Sequence, residues 1–336
     1  MTIRLKRPRV YYAFILLVIS TSLFIYFVNN LLHIEEPETI LSDKDFLNLV
    51  ISKYGQERIL AEQCVDGSCF VVKDVLYRGL LFLPLERVLI DKETKQVKAS
   101  AMLRLPSTRV RSKTDTKRWP LNRSQFAKNT LEYAIVEAAL LSRALSLLTS
   151  TPADVLIIGI GSATIANFIQ YHYHQSNITI LEEREVMAHF LIDWFQIILG
   201  PRLGIIVPNK QEQLGTIMEN QDSKYHVVFY NMCPQSIANG SCPDERTLSE
   251  HIIRTMVKRV GDQGVLIVSM ITADVDTIFY MMQKHRFEQY FNECILIKPA
   301  KAYNQVLSCT QNHHDFNLEK QIESFMHSQW RKNDFL

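Results

Sequence analysis

The run Val155-Leu156-Ile157-Ile158 is continuously apolar and rich in β-branched residues. It is too short for a helix and reads as a strand buried on both faces. Gly159 and Gly161 follow and supply a tight turn. Ser162 then caps a helix whose apolar positions Ile165, Phe168 and Ile169 recur at helical spacing. Ile178 to Leu181 is a second buried strand, ending on Glu182 and Glu183. Strand, glycine turn, helix and strand make a βαβ unit, and such a unit needs a sheet with parallel strands. A glycine-rich turn opening a helix exposes backbone N–H groups to a ligand, and a carboxylate closing the next strand can accept hydrogen bonds from ribose hydroxyls. This is the geometry of nucleotide and S-adenosyl sites. A lone GxG also occurs as a plain strand-to-helix turn, so the rest of the chain has to decide.

The alternation continues after Glu183. Helices are expected over 184–199, 210–220, 244–259 and 274–286, with strands over 203–207, 225–230 and 264–269 and a closing hairpin from 294–298 and 303–309. Before the motif, short Val-, Leu- and Phe-rich runs over 69–75, 79–83, 87–91 and 97–103 read as β-hairpins, and Phe126 to Leu148 reads as a long helix. The fold class is α/β: a Rossmann-like, mostly parallel sheet with helices on both faces and a C-terminal antiparallel hairpin. It is preceded by a small β-hairpin domain and one N-terminal transmembrane helix.

The span is read from Val10 to Val28, which carries no charge, behind Arg4, Lys6, Arg7 and Arg9. Roughly 20 apolar residues at ~1.5 Å each cross a ~30 Å hydrocarbon core. The basic flank precedes the span and Glu35, Glu36 and Glu38 follow it, which puts the N-terminus in the cytosol. A cleaved signal peptide fits less well, because no small-x-small site follows the run. The expected organisation is a cytosolic tail (1–9), a signal-anchor (10–32), a stem (33–63), a small β domain with a basic loop (64–125), the main domain (126–310) and a C-terminal tail (311–336) that is a peripheral helix or loose. Within the stem, Asp43 to Val50 reads as a helix capped by Ser42.

All six cysteines lie beyond the span and form local pairs: Cys64 with Cys69, Cys233 with Cys242, and Cys294 with Cys309. The last two sit opposite one another if the hairpin turns near Lys301 and Ala302. Six cysteines allow fifteen pairings, so this connectivity is one among several. Metal ligation is a poorer account, since no CxxC spacing occurs. Sequons at Asn122, Asn177 and Asn239 suit a domain on the luminal or extracellular side, Asn239 best because it lies in a loop. The protein is thus expected to be a single-pass type II membrane protein of the secretory pathway.

A formal net charge of +2 over 336 residues gives no reason to expect a nucleic-acid partner. The segment 105–123 is locally basic, with Arg109, Arg111, Lys113, Lys117, Arg118 and Arg123 against Asp115. It reads as a solvated loop or as a site for a polyanion or acidic partner. His172 and His174 are two residues apart on a helix and do not share a face, so they read as core or surface histidines.

The order of small β domain, long helix, VLIIGIGSA turn, ITILEE strand, YHVVFYN strand, VGDQGVLIVS strand and final hairpin resembles the spermidine synthase family over residues 65–309. That resemblance implies the class I S-adenosylmethionine methyltransferase fold, and a homodimer remains open under it. It also implies that Gly159, Gly161, Ser162, Glu182 and Asn209 face the cofactor, with Glu182 on the ribose and Asn209 where the family has an adenine-contacting Asp. Asn231 falls where the family has the Asp that deprotonates the attacking amine. An amide cannot take that proton near neutral pH, nor hold a polyamine cation by charge. The chain is therefore expected to lack aminopropyl transfer and to act as a binding or scaffolding protein. The alternative is a divergent S-adenosylmethionine-dependent methyltransferase, since positioning supplies much of the rate of such a transfer.

Overall fold

A computed structural model describes residues 17–24 and 38–333, except 66, 77–84, 127, 129, 160–162, 209–213, 220–222, 234–239, 244–247, 273–276 and 300–303. Of the expected span, 17–24 is described; it is helical, with Leu17, Leu23 and Phe24 exposed. Among the described residues no helix is long and apolar enough to cross a membrane, so the structure lends the expected span no support.

Helix α1 (Asp43–Tyr54) begins where Ser42 accepts the Asp45 N–H, and it buries Phe46, Leu47 and Val50. Strands β1 (Glu57–Val65), β2 (Ser68–Leu76), β3 (Leu85–Asp91) and β4 (Val97–Met102) form an antiparallel sheet in sequence order. β1 starts inside the segment expected to be stem. Its Glu57, Glu62 and Gln63 are exposed, so it carries no apolar stripe to announce it. Arg87 of β3 is 1% exposed and Asp74 of β2 is fully buried. The guanidinium forms a two-pronged pair with that carboxylate (2.8 and 3.2 Å) and also donates to the Thr116 and Trp194 carbonyls. One side chain thereby ties the small sheet to the basic segment and to the main domain.

The basic segment is not a loose loop. It makes two one-turn 3-10 helices, Arg111–Lys113 and Thr116–Arg118, the second capped by Asp115. Trp119 is 1% exposed, donates its Nε1–H to the Lys113 carbonyl and stacks on Phe46. Sequence reading missed this order because the anchor is a single aromatic with no periodicity around it.

Helix α2 (Leu131–Leu141) is shorter than the expected 126–148. Thr130 caps its start, and Arg143 ends it by entering the left-handed region at φ 59° while Leu145 N–H reaches back to the Ala139 carbonyl. β5 (Asp154–Ile158), α3 (Ala163–His172), β6 (Asn177–Leu181), α4 (Glu185–Asp193), β7 (Leu203–Ile206), α5 (Leu214–Glu219) and β8 (Tyr225–Tyr230) follow. The chain then runs through β9 (Ser241–Cys242), α6 (Glu250–Arg259), β10 (Val260–Thr272), α7 (Thr277–Glu288), β11 (Glu293–Ile297), β12 (Asn304–Thr310) and α8 (Glu319–Asn333).

The large sheet has the order β11-β12-β10-β8-β5-β6-β7, with β9 on β10. β10, β8, β5, β6 and β7 are parallel, while β12 inserts antiparallel between β10 and β11. β5 and β8 have their alternate residues in different cores. Val155, Ile157, Val227 and Phe229 pack in the core shared with the small sheet, and Leu156, Ile158, Val228 and Tyr230 in a second core. Each such buried aliphatic side chain contributes roughly 1.5–3 kcal/mol, which is why the run is unbroken.

The segment 311–336 was expected to be a peripheral helix or loose. Its α8 instead sends Ile322 (0% exposed) and Met326 (4%) into the main core. The turn before it is pinned by His314, whose Nδ1–H donates to Glu293 at 2.7 Å and whose Nε2 accepts from Ser308 at 2.8 Å.

Candidate functional site

The strand order reverses about β5: the chain moves to β6 and β7 on one side, then returns to β8 on the other. Open α/β sheets place ligands in the crevice outside the carboxyl ends of the strands, at the point where the strand order reverses. Gly159, Glu182 and Asn231 each stand one residue past a strand of this set.

Gly159 adopts φ +97°, and a Cβ there would lie 2.5 Å from the Asn231 carbonyl oxygen and 3.0 Å from the Met232 sulfur. Its N–H donates to the Leu181 carbonyl, and the Asn231 N–H donates to Ile158. The glycine is required by the close passage of the β8 loop. Gly161, Ser162 and Asn209 lie outside the described residues.

Glu182 is 3% exposed, and its Oε1 accepts the Arg184 N–H at 3.2 Å, which turns the chain into α4. The position suits a carboxylate facing ribose hydroxyls, and it also gives the side chain a local structural task. Arg184 spreads its guanidinium over the Phe70 ring, 5.0 Å from the centroid, while Phe70 meets Phe190 of α4 edge-on. The small sheet therefore abuts the crevice at the end of β6. Half-buried Lys98 of β4 has its ammonium held below the usual lysine range, first by burial and then by the charge of Arg184, against the opposing pull of Asp91. Sequence reading missed this cationic neighbour, since residues 98 and 184 are joined only by tertiary packing.

Asn231 is 6% exposed at the end of β8. After it come Met232 and Cys233, and Cys233 is bonded to Cys242 of β9, which pairs with the end of β10. The β8 end thus supplies an amide, a thioether and a disulfide sulfur, none of which takes up a proton near neutral pH. All three expected disulfides are present, Cys64 with Cys69, Cys233 with Cys242 and Cys294 with Cys309. Two of them join residues directly opposite across antiparallel pairs. Glu62 lies with Cys64 and Cys69, but with the sulfurs bonded to each other that cluster offers one carboxylate only.

Asn177 is exposed, its Nδ2 bonded to Asp154. Asn122 is not in an exposed stretch as its basic neighbours suggested: it is half-buried and bonded to Gln125 and Ser124. Asn239 lies outside the described residues. His172 is a core histidine that donates to the Ser124 carbonyl, with its basicity lowered first by burial. His174 is exposed and bonded to the Gln170 carbonyl.

No protein-family model matches the chain. Among curated proteins, the eEF1A lysine and N-terminal methyltransferase of Xenopus laevis is 19% identical over 187 residues, which is 52% of this chain and 27% of that protein. The Mus musculus protein of the same name is 22% identical over 143 residues, 42% of this chain and 20% of that protein. The chain thus matches about a quarter of the length of these relatives. Among solved structures, human methyltransferase-like protein 13 in complex with SAH superposes with a TM-score of 0.51 at 16% identity, covering 60% of this chain and 91% of that one. A probable spermidine synthase from Corynebacterium glutamicum gives 0.55 at 14% identity, covering 81% and 86%. At these identities the superpositions establish a class I methyltransferase-like fold. They do not single out the spermidine synthase family.

Proposed function

We propose that this chain is a membrane-anchored protein whose luminal or extracellular domain keeps the methyltransferase-like fold for binding or scaffolding, without aminopropyl transfer. The observation that carries this reading is the end of β8, where Asn231, Met232 and the bonded Cys233 offer no group able to accept a proton from an attacking amine. The three disulfides support placement of the domain in an oxidising compartment.

A second reading, S-adenosylmethionine-dependent methyl transfer, is favoured by Glu182 and by relatives named as methyltransferases. The cradle suits an adenosyl ligand in one respect, because a buried carboxylate closes β6 beside a turn that starts on a glycine with positive φ. Glu182 would hold the ribose, and the bound sulfonium would supply the methyl group. The chain's own part would be to position an acceptor that is already a nucleophile, because β8 supplies no base.

Calorimetry of the full chain with S-adenosylmethionine, decarboxylated S-adenosylmethionine and methylthioadenosine separates the two. The expected result, when the same ligands are then incubated with the chain and amine or protein acceptors, is no transfer. Heat from none of the three ligands removes the transferase reading. Binding abolished by Glu182→Ala, together with methyl transfer to an acceptor, overturns the binding-only reading.

A further inference from the structure

We propose that Met281, Met282 and His285 of α7 form a surface site for a soft monovalent metal ion, copper(I), separate from the crevice and independent of either reading of it. Met281 and Met282 are 51% and 62% exposed, whereas every other described methionine is buried or half-buried. All six cysteines are bonded in pairs, so no thiol competes and the thioethers are the softest donors left.

The helix fixes where these donors stand. α7 buries Tyr280, Gln283 and Phe287, with the Tyr280 hydroxyl 2.8 Å from Thr272 Oγ1 and Arg286 donating to the Leu248 carbonyl at 2.9 Å. That side is therefore tied down, and the opposite side is turned to solvent. His285 comes four residues after Met281 and three after Met282, so it stands between them around the helix axis, one turn further on. Side chains at these spacings start about 5–6 Å apart at Cβ, and a methionine has three rotatable bonds with which to close that gap. Both sulfurs can reach one ion held against the imidazole. With Thr277, Ile278 and Glu288 the three residues line one open depression.

The imidazole has a carboxylate behind it. His285 Nδ1 lies 3.6 Å from Glu288 Oε2, which leaves Nε2, on the far edge of the ring, for a metal. A carboxylate placed so orients a metal-binding histidine and raises its strength as a ligand. Lys284 holds the other Glu288 oxygen at 3.0 Å, and that hydrogen bond above all keeps the carboxyl below its ordinary range, so it stays ionised. Two thioethers and an imidazole are a donor set for copper(I). Zinc and calcium take harder donors in larger numbers than His285 and Glu288 supply.

The test titrates the full chain in chloride-free buffer with silver(I), a redox-inert stand-in for copper(I), followed by the carbon-13 signals of the methionine methyl groups. Copper(I) is then competed against bicinchoninate in ascorbate, which leaves disulfides intact. The expected result is one ion per chain, shifts confined to the Met281 and Met282 methyls, and affinity lowered about tenfold or more by Met281→Leu/Met282→Leu or by His285→Gln. Leucine keeps the apolar bulk and the helix propensity, so an unmoved urea midpoint in the double variant assigns the loss to the sulfurs. Glu288→Gln should weaken binding about tenfold through the imidazole alone. Absence of silver(I) binding overturns the proposal. So does binding unchanged in the double variant, or zinc(II) bound more tightly than silver(I).

Discussion

An alanine at position 159 would have to hold φ near +97° with its Cβ 2.5 Å from a backbone oxygen that the β8 ladder keeps in place. Neither strain can relax without separating the ends of β5 and β8, so Gly159→Ala should lose about 2–4 kcal/mol. The midpoint of urea unfolding reads this directly, and an unmoved midpoint would mean that the β8 loop yields. The residue was legible in the sequence as a turn glycine. Its reason was not, because the atom it must avoid lies on the loop after another strand. Glu182 was likewise legible as the carboxylate after the second strand, but its bond to the Arg184 N–H was not. At this scale a motif gives positions, and tertiary packing gives their tasks.

Elements with strong periodicity were placed well: β5, β6 and β8 fall where the apolar runs put them, since buried parallel strands tolerate few polar residues. Ends were misplaced where a single contact sets them, as at Arg143 after α2; β1 was missed, and α8, expected as a helix or a loose tail, was not expected to enter the core, because their apolar residues are sparse. The turn leading into α8 makes a further prediction. His314 has its side chain fully buried and Glu293 carries most of its polar partners. Burial drives the His314 pKa below its ordinary 6.5, more than the Glu293 hydrogen bond and charge restore. Burial would raise Glu293, but the His314 N–H and ring, and then His313, bring it below 4.5. His172, which meets Phe325 of α8, is lowered too, first by burial. For each of these groups the unfolded chain binds protons more readily, so stability is present above the unfolded value and falls as pH drops, from about 6.5 for the histidines. Glu137 opposes this, since burial and the charges of Glu319 and Glu323 raise it despite Lys128. The nearby Arg143–Asp315 pair holds Asp315 low, a loss that begins only in stronger acid. Unfolding midpoints should therefore decline between pH 6.5 and 5, and His314→Gln should flatten the decline. An unchanged slope in that variant would exonerate His314 and leave His172→Gln as the next variant to measure.

Across the whole molecule, the three disulfides are local, with sequence separations of 5, 9 and 15, and none joins the small sheet to the large one. That union rests on the shared apolar core and on Arg87. The pairing was legible because each partner is near in sequence, whereas the hydrogen bonds from Ser112 to Glu38 were not, because they span about seventy residues. Exposure distinguishes the disulfides: Cys64 is exposed at the β1–β2 hairpin, while Cys233, Cys242, Cys294 and Cys309 are between 0% and 8% exposed. A thiolate must reach the sulfur it attacks, so mild reductant should open Cys64–Cys69 first, and the buried pairs only after local unfolding. Loop-closure arithmetic puts the loss at about 2 kcal/mol for that short loop and about 3 kcal/mol for Cys294–Cys309. Stepwise reduction with alkylation and mass mapping should therefore show one disulfide open with circular dichroism unchanged, then two opening together with loss of structure. Labelling of Cys233 or Cys294 before Cys64 would show that the crevice loop or the sheet edge opens more readily than the hairpin. The β8 end would then be a mobile wall of the crevice, and the reading of Asn231 as fixed against Gly159 would have to be given up.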